Sequence, residues 1–301
     1  MAAASCGKGY GRASGAGTII NAIATLRGAA FGIELWTEAE VELGADLKVI
    51  RGEIVHGGED EPPGDTRLIE RCVELVLRKF DVPLGAYVKT RSEIPIGSGL
   101  KSSSAAANAT VAATLNAIGA EVNTRAGALE AIEIGVDAAL EVGVSITGAF
   151  DDACASALGG IVITNNEKRV LMQRVEKDAA VLIFVPRARA FTADTNVLRS
   201  KVIAPWIGRA HEWALEGRFD EAMTLNGFLY CAALGFDPEP MLRALECGVA
   251  GVSLSGTGPS FVAVLNEHEE LEARVREAWQ SMELEGAILK RRIQNAPSFY
   301  W

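Results

Sequence analysis

Two glycines, a lysine and four serines crowd the run Ile94–Ala107, IPIGSGLKSSSAAA. Glycine at 97 and 99 permits backbone angles and close approach that a β-carbon forbids, which leaves N–H groups free to face an anion. The alanine-rich stretch behind them predicts a helix from about Ser102 to Ile118. The start of a helix adds unpaired N–H donors and a partial positive charge. Ser102, Ser103 and Ser104 supply caps and a hydroxyl able to touch a metal ion. The run therefore reads as a phosphate cradle; in isolation it reads equally as a serine-capped helix after a glycine turn. It is not a Walker A loop, because leucine precedes Lys101 and the GxxxxGK[ST] spacing fails, which disfavours a P-loop NTPase.

Asp151 is predicted on a glycine-flanked loop between apolar neighbours, an odd place for a carboxylate unless it is hydrogen-bonded or at work; the plain alternative is an Asx turn. Asp152 is the neighbour that can be confused with it. Gly256, Gly258 and Pro259, in LSGTGPS, predict a turn offering backbone N–H groups near acceptor or phosphates, or else a tight hairpin between core strands. Arg12, Lys101, Arg187 and Arg189 are the candidates to meet a substrate carboxylate.

The elements that must hold these groups follow from pattern. Leu35–Leu43 and Leu84–Ile94 alternate like strands. Gly57–Asp65 is a loop by composition, and Asp65 or Thr66 caps a helix through about Phe80. A third helix, Arg125 to about Val142, precedes the loop carrying Asp151. Gly159–Ile163 reads as a strand and Asn165–Arg169 as a polar turn, so a boundary is set there: residues 1–165 and 166–301. Ala179–Val185 opens the second half as a buried strand. Helices over 202–215, 220–234 and 241–248 follow, then strand, glycine turn and strand over 251–265, and a charged helix over 267–285. Strands and helices without regular alternation predict α+β layers in two lobes, not a doubly wound parallel sheet.

Bulk properties exclude several classes. The chain has 301 residues, 49% hydrophobic and 23% charged, the balance of a folded protein with a substantial core. Ala179–Val185, its longest apolar run, is far short of a membrane span. The small-residue start is broken by Lys8 and no apolar stretch follows, so no secretory signal is expected and a cytoplasmic location is. Five scattered cysteines without a C-x-x-C pair, and three histidines apart from them, argue against a disulfide framework or a zinc or histidine metal centre. A net charge of −10 disfavours nucleic-acid and anionic-membrane partners, so an anionic ligand needs local positive groups. The oligomeric state stays open, a homodimer included.

The order of motifs carries a resemblance. Pro95-x-Gly97-x-Gly99-Leu100-x-Ser102-Ser103 resembles the second signature of the GHMP kinases, PxGxGLxSS, and the wider run with Lys101 is similar to the version in the archaeal type of shikimate kinases. Thr147–Ser156 (TGAFDDACAS) with Gly159-Gly160 resembles the family's loop bearing an acidic catalytic residue. Leu254–Ser260 resembles the third motif, and Gly11–Gly32 the first. One departure is Thr18, which stands about where mevalonate kinases place a lysine.

The resemblance implies a two-lobed fold: an N-terminal lobe resembling domain 2 of ribosomal protein S5, and a C-terminal ferredoxin-like α/β sandwich. It implies ATP and Mg2+, with phosphoryl transfer to the 3-hydroxyl of shikimate in chorismate and aromatic amino-acid biosynthesis. Homoserine or mevalonate kinase activity, or a catalytically silent ligand sensor on the same fold, are the alternatives. It further implies ATP contacts from Pro95, Gly97, Ser98, Gly99, Leu100, Lys101, Ser102, Ser103 and Ser104. Ser103 and an acidic residue on the helix before the Asp151 loop, Asp137 in preference to Glu141 one turn on, would hold magnesium. Thr147, Gly148, Gly256, Thr257 and Gly258 would meet the acceptor. Asp151 would orient the acceptor hydroxyl or take its proton, preferred over Asp152 because its distance to Gly159-Gly160 fits the homoserine kinase pattern DNxxxxxxGG.

Overall fold

A computed structural model of the chain describes residues 7–47, 49–55, 64–187, 197–265 and 269–298. Cys6, His56, His268, Arg189 and most of the loop expected at 57–65 lie outside those residues.

The first layer is a mixed six-stranded sheet of order β3-β4-β2-β5-β6, with β1 paired to β2. Its strands are β1 (Lys8–Ile20), β2 (Arg27–Gly44), β3 (Ile50–Val55), β4 (Gly85–Ser92), β5 (Ile161–Asn165) and β6 (Val170–Val175). Among the described strands only β3 and β4 pair in parallel. Against it lie α1 (Arg67–Lys79), α2 (Ser102–Ala117) and α4 (Phe150–Leu158), with α3 (Arg125–Glu141) packed on those helices.

The long strand β2 organises this lobe because its two halves see different surroundings. From Thr37 to Leu43 buried and exposed residues alternate, as a sheet with one solvated face requires. From Gly28 to Ile33 every residue is buried, since both faces are covered. Ala29, Phe31 and Ile33 join the core shared with the second lobe, while Ala30 joins the core under α2, α3 and α4.

Strand β1 escaped the pattern reading because its residues are small rather than β-branched, and the packing explains why. α2 lies so close that a β-carbon on Gly9 would come within 2.0 Å of the Ala113 carbonyl oxygen, and one on Gly11 within 2.2 Å of that of Ala109. Glycines on one face of a strand and alanines at a four-residue spacing on a helix form one contact surface. That is also why α2 is buried nearly all round.

The second sheet holds β7 (Ala180–Pro186), β8 (Gly251–Leu254), β9 (Phe261–Leu265) and β10 (Gly286–Arg292). Its order, β10-β7-β9-β8, with every pair antiparallel, is the split βαβ arrangement of ferredoxin-like folds. α5 (Val197–Val202), α6 (Ala204–Leu215), α7 (Phe219–Leu234) and α8 (Glu239–Glu246) lie between β7 and β8, and α9 (Glu269–Gln280) between β9 and β10. The first sheet continues to Val175, past residue 165, before the chain changes sheets. One apolar core runs through both lobes, joining Ile19, Phe31 and Leu100 to Phe184, Tyr230 and Trp279.

Cys72, Cys154 and Cys231 are buried free thiols, as the scattered spacing predicts, and Cys247 is half-buried. Among the described residues no helix is long and apolar enough to cross a membrane.

Candidate active site

Three stretches far apart in sequence are tied into one junction by hydrogen bonds. The loop before α2 takes left-handed backbone at Gly97 (φ 67°) and Gly99 (φ 81°), the freedom its glycines predict. Its inner side is braced: the Ser98 hydroxyl donates to the Pro95 carbonyl at 2.6 Å, and the Leu100 carbonyl accepts from the Ala16 N–H of β1 at 3.2 Å. The hydroxyl of Ser255 donates to the Gly99 carbonyl at 2.9 Å, and the Ser260 N–H to that of Ser98 at 3.2 Å. Thr18, at the end of β1, accepts from the Gly256 N–H at 2.8 Å, and Asn21 Nδ2 donates to the Gly256 carbonyl at 2.9 Å.

These bonds close a cavity of about 680 Å³, the size of a small-molecule site. Gly97, Gly99, Lys101, Ser102, Ser103, Ser104, Thr147, Gly148, Asp151, Gly256 and Thr257 line it. Pro95, Ser98 and Leu100 do not; they form the loop's structural underside. Gly258 does not either, since a β-carbon there would meet the Phe236 ring at 2.6 Å. The glycine turn proves to be the β8–β9 hairpin, the alternative reading of the sequence, and the N–H groups of Gly256 and Gly258 are spent internally: Gly258 donates to Ser255 at 2.9 Å, as Gly256 does to Thr18.

The positive end of the cavity is the N-terminus of α2. It has no acidic residue in its first turn and no side-chain cap, so its N–H groups keep their capacity for an anion. Lys101, the residue before it, adopts φ 67° and ψ 38° and turns its ammonium inward, 3.2 Å from Asp152 Oδ2. Of the three described basic candidates, Arg12, Lys101 and Arg187, only Lys101 lines the cavity. Arg12 stacks on the Trp36 ring, 3.6 Å from its centroid, and Arg187 is an exposed partner of Glu285.

The carboxylates sit on a helix, not on a loop. Gly148 (φ 76°) and Ala149 (φ 48°) turn the chain so that α4 begins at Phe150, with Asp151 and Asp152 in its first turn. Asp151 is 3% exposed. Its Oδ1 accepts from Asn166 Nδ2 at 2.7 Å, and its carboxyl packs where a β-carbon on Gly28 would be. Burial, and then the charge of Asp152, pushes Asp151 up to about 7. Burial also raises Asp152, against the pull of Lys101. Asp152 Oδ1 is buried without a hydrogen-bond partner among the described residues, as is Asn108 Oδ1 in the wall beside it.

The two magnesium candidates on α3 are misplaced for that task. α3 turns Gly135, Val136 and Ala139 to the cavity, which sends Asp137 and Glu141 to the other side. There Asp137 accepts from Arg169 at 2.6 Å and Glu141 from Arg71. Among the described residues no three His, Cys, Asp or Glu side chains gather as a metal cage. Magnesium bound with a nucleotide needs only one or two protein ligands beside phosphate and water. The Ser103 hydroxyl lines the cavity and is one group able to serve.

Sequence reasoning weighed Asp152 but set it aside, and overlooked Asn21, Asn108 and Asn166. The one available signal was an isolated asparagine inside the alanine-rich helix, at 108.

Comparison with known proteins agrees with this geometry. Residues 67–160 match the family described as GHMP kinases N terminal domain. A shikimate kinase of Methanosarcina mazei is 58% identical over 289 residues, covering 96% of this chain and 95% of that one. One from Methanothermobacter thermautotrophicus is 44% identical, covering 94% and 95%. In three dimensions the chain resembles the Methanococcus jannaschii mevalonate kinase, with TM-score 0.73 at 16% identity over 95% and 98% of the two chains. It resembles a homoserine kinase of Cytophaga hutchinsonii with TM-score 0.72 at 17% identity over 96% of each. Those structures speak to the fold alone, whereas the close sequence relatives settle the membership: this chain belongs to the GHMP kinase superfamily, in its archaeal shikimate kinase family.

Proposed function

We propose that the chain transfers the γ-phosphoryl group of ATP to the 3-hydroxyl of shikimate, giving ADP and shikimate 3-phosphate. As a GHMP kinase it is a phosphotransferase with an alcohol acceptor, and its relatives at 44–58% identity are named shikimate kinase. The observation that carries the reading is the convergence of an uncapped helix N-terminus and a buried carboxylate pair on one cavity.

In such a transfer the acceptor oxygen forms a bond to the γ-phosphorus while the bond to the bridging oxygen breaks, its electron pair leaving with ADP. The protein aligns the two oxygens and neutralises charge. The α2 N-terminus and the loop at 97–104 hold the triphosphate. Asp151, poised near neutral pH, receives the hydroxyl proton or orients the hydroxyl. Magnesium, held by the Ser103 hydroxyl beside phosphate and water, would supply charge neutralisation on the phosphates. Thr147, Gly148, Gly256 and Thr257 shape the acceptor end. The test is ATP consumption with shikimate, homoserine and mevalonate, with and without magnesium. Turnover restricted to shikimate with magnesium supports the reading; turnover of either other acceptor reassigns the substrate; ligand binding without ADP release identifies a sensor.

A further inference from the structure

Lys101 carries two burdens that a fold alone has no reason to keep. Its backbone is left-handed, a conformation that crowds the β-carbon of any residue but glycine. Its side chain is 10% exposed and paired with an Asp152 side chain 14% exposed. A buried lysine–aspartate pair is weak as a stabilising device, since desolvation offsets its attraction. Glycine at 101 and a neutral residue at 152 would relieve both burdens.

The location says what the burdens serve. Lys101 Nζ sits where the α2 N-terminus, the first turn of α4 and the 255–260 turn meet; a β-carbon on Gly256 would come within 2.6 Å of it. Arg67, the other described cation lining the cavity, is exposed and held by Asp65. An ammonium has three donors. Asp152 takes one, and Lys101 itself lines the cavity.

Granting the phosphoryl-transfer reading, we propose that Lys101 is a catalytic residue whose ammonium meets the phosphoryl group in flight, and that Asp152 is a positioning residue holding it there. Lys101 forms no covalent bond. It neutralises charge on the non-bridging oxygens as the acceptor bond forms and the bond to ADP breaks. The hydroxyl proton goes to the α4 carboxylates. This removes Lys101 from the groups available to an acceptor carboxylate.

The experiment compares wild type with Lys101→Gly and Lys101→Gly/Asp152→Asn. Three quantities are measured at saturating magnesium: the ligand-free melting temperature, kcat and KM, and calorimetric affinity for ADP and for the β,γ-imido analogue of ATP. The double variant is expected to melt at or above the wild-type temperature. Its kcat should fall about 10²-fold or more, and ADP affinity should stay within about threefold, while both variants lose any preference for the triphosphate analogue over ADP. Wild-type turnover in the double variant overturns the assignment. So does equal loss of ADP and analogue affinity with a lowered melting temperature, which marks a pair that only braces the loop. If the wild type consumes no ATP with any acceptor, the kinase reading fails separately; an unaltered analogue-over-ADP preference then still overturns the role of Lys101.

Discussion

Replacing Asp151 by asparagine should make the protein more stable, and increasingly so as pH rises. Asparagine keeps the shape and can still accept the hydrogen bond from Asn166 Nδ2. What it loses is a charge that the site disfavours. In the fold the carboxyl is pushed up to about 7 from its ordinary 3.8, so the native chain binds the extra proton over that interval. Stability therefore falls with rising pH between those values, and the loss levels off above about pH 7. At 1.36 kcal/mol per unit, the wild type gives up about 2 kcal/mol at pH 5 and on the order of 4 kcal/mol at pH 8. The Asp151→Asn variant gives up neither. Urea unfolding of the ligand-free proteins from pH 5 to 9 reads the difference directly. The variant's advantage should grow by about 2 kcal/mol between pH 5 and 8. A pH-independent difference, or a variant less stable at pH 8, would refute the claim that burial and Asp152 hold Asp151 near neutrality.

Further outcomes follow from the same geometry. Asp151→Ala should lower kcat by about 10² or more with ADP affinity little changed, as steady-state kinetics and calorimetry will show. Ser103→Ala should raise the magnesium concentration for half-maximal rate; an identical titration removes that ligand. Asp137→Asn and Glu141→Gln, whose side chains face Arg169 and Arg71 outside the cavity, should leave kcat and the magnesium titration within about twofold of wild type, as surface changes do. Gly11→Val, which thrusts a side chain into the backbone of α2, should cost about 3 kcal/mol or more by urea unfolding, the scale of overpacking in a dense interior.

Local chemistry was legible where composition is decisive. The alanine and serine content of 102–117 announces a helix, and glycine at 97 and 99 announces the left-handed bends that precede it. β1 was illegible as a strand because its glycines answer to the surface of α2, a partner about a hundred residues away in sequence. β10 was concealed behind a charged helical pattern that in fact stops at Gln280. Asp151 looked like a loop residue because two left-handed positions, 148 and 149, start α4 later than a helix pattern alone suggests. The one-turn spacing of Asp137 and Glu141 was right, but spacing cannot tell which face of α3 meets the ligand. Here the apolar face, through Val136 and Ala139, is the one that lines the cavity.

The hydrogen bonds that join Thr18 and Asn21 to Gly256, and Ser255 to Gly99, make the two halves of the chain mutually dependent. Cutting the polypeptide between the sheets would leave each fragment with half of a socket: one with a bend lacking its buttress, the other with a buttress lacking its bend. Neither piece can be expected to grip a nucleotide by itself. For the same reason, any rocking of one lobe against the other must tug on the bend before α2.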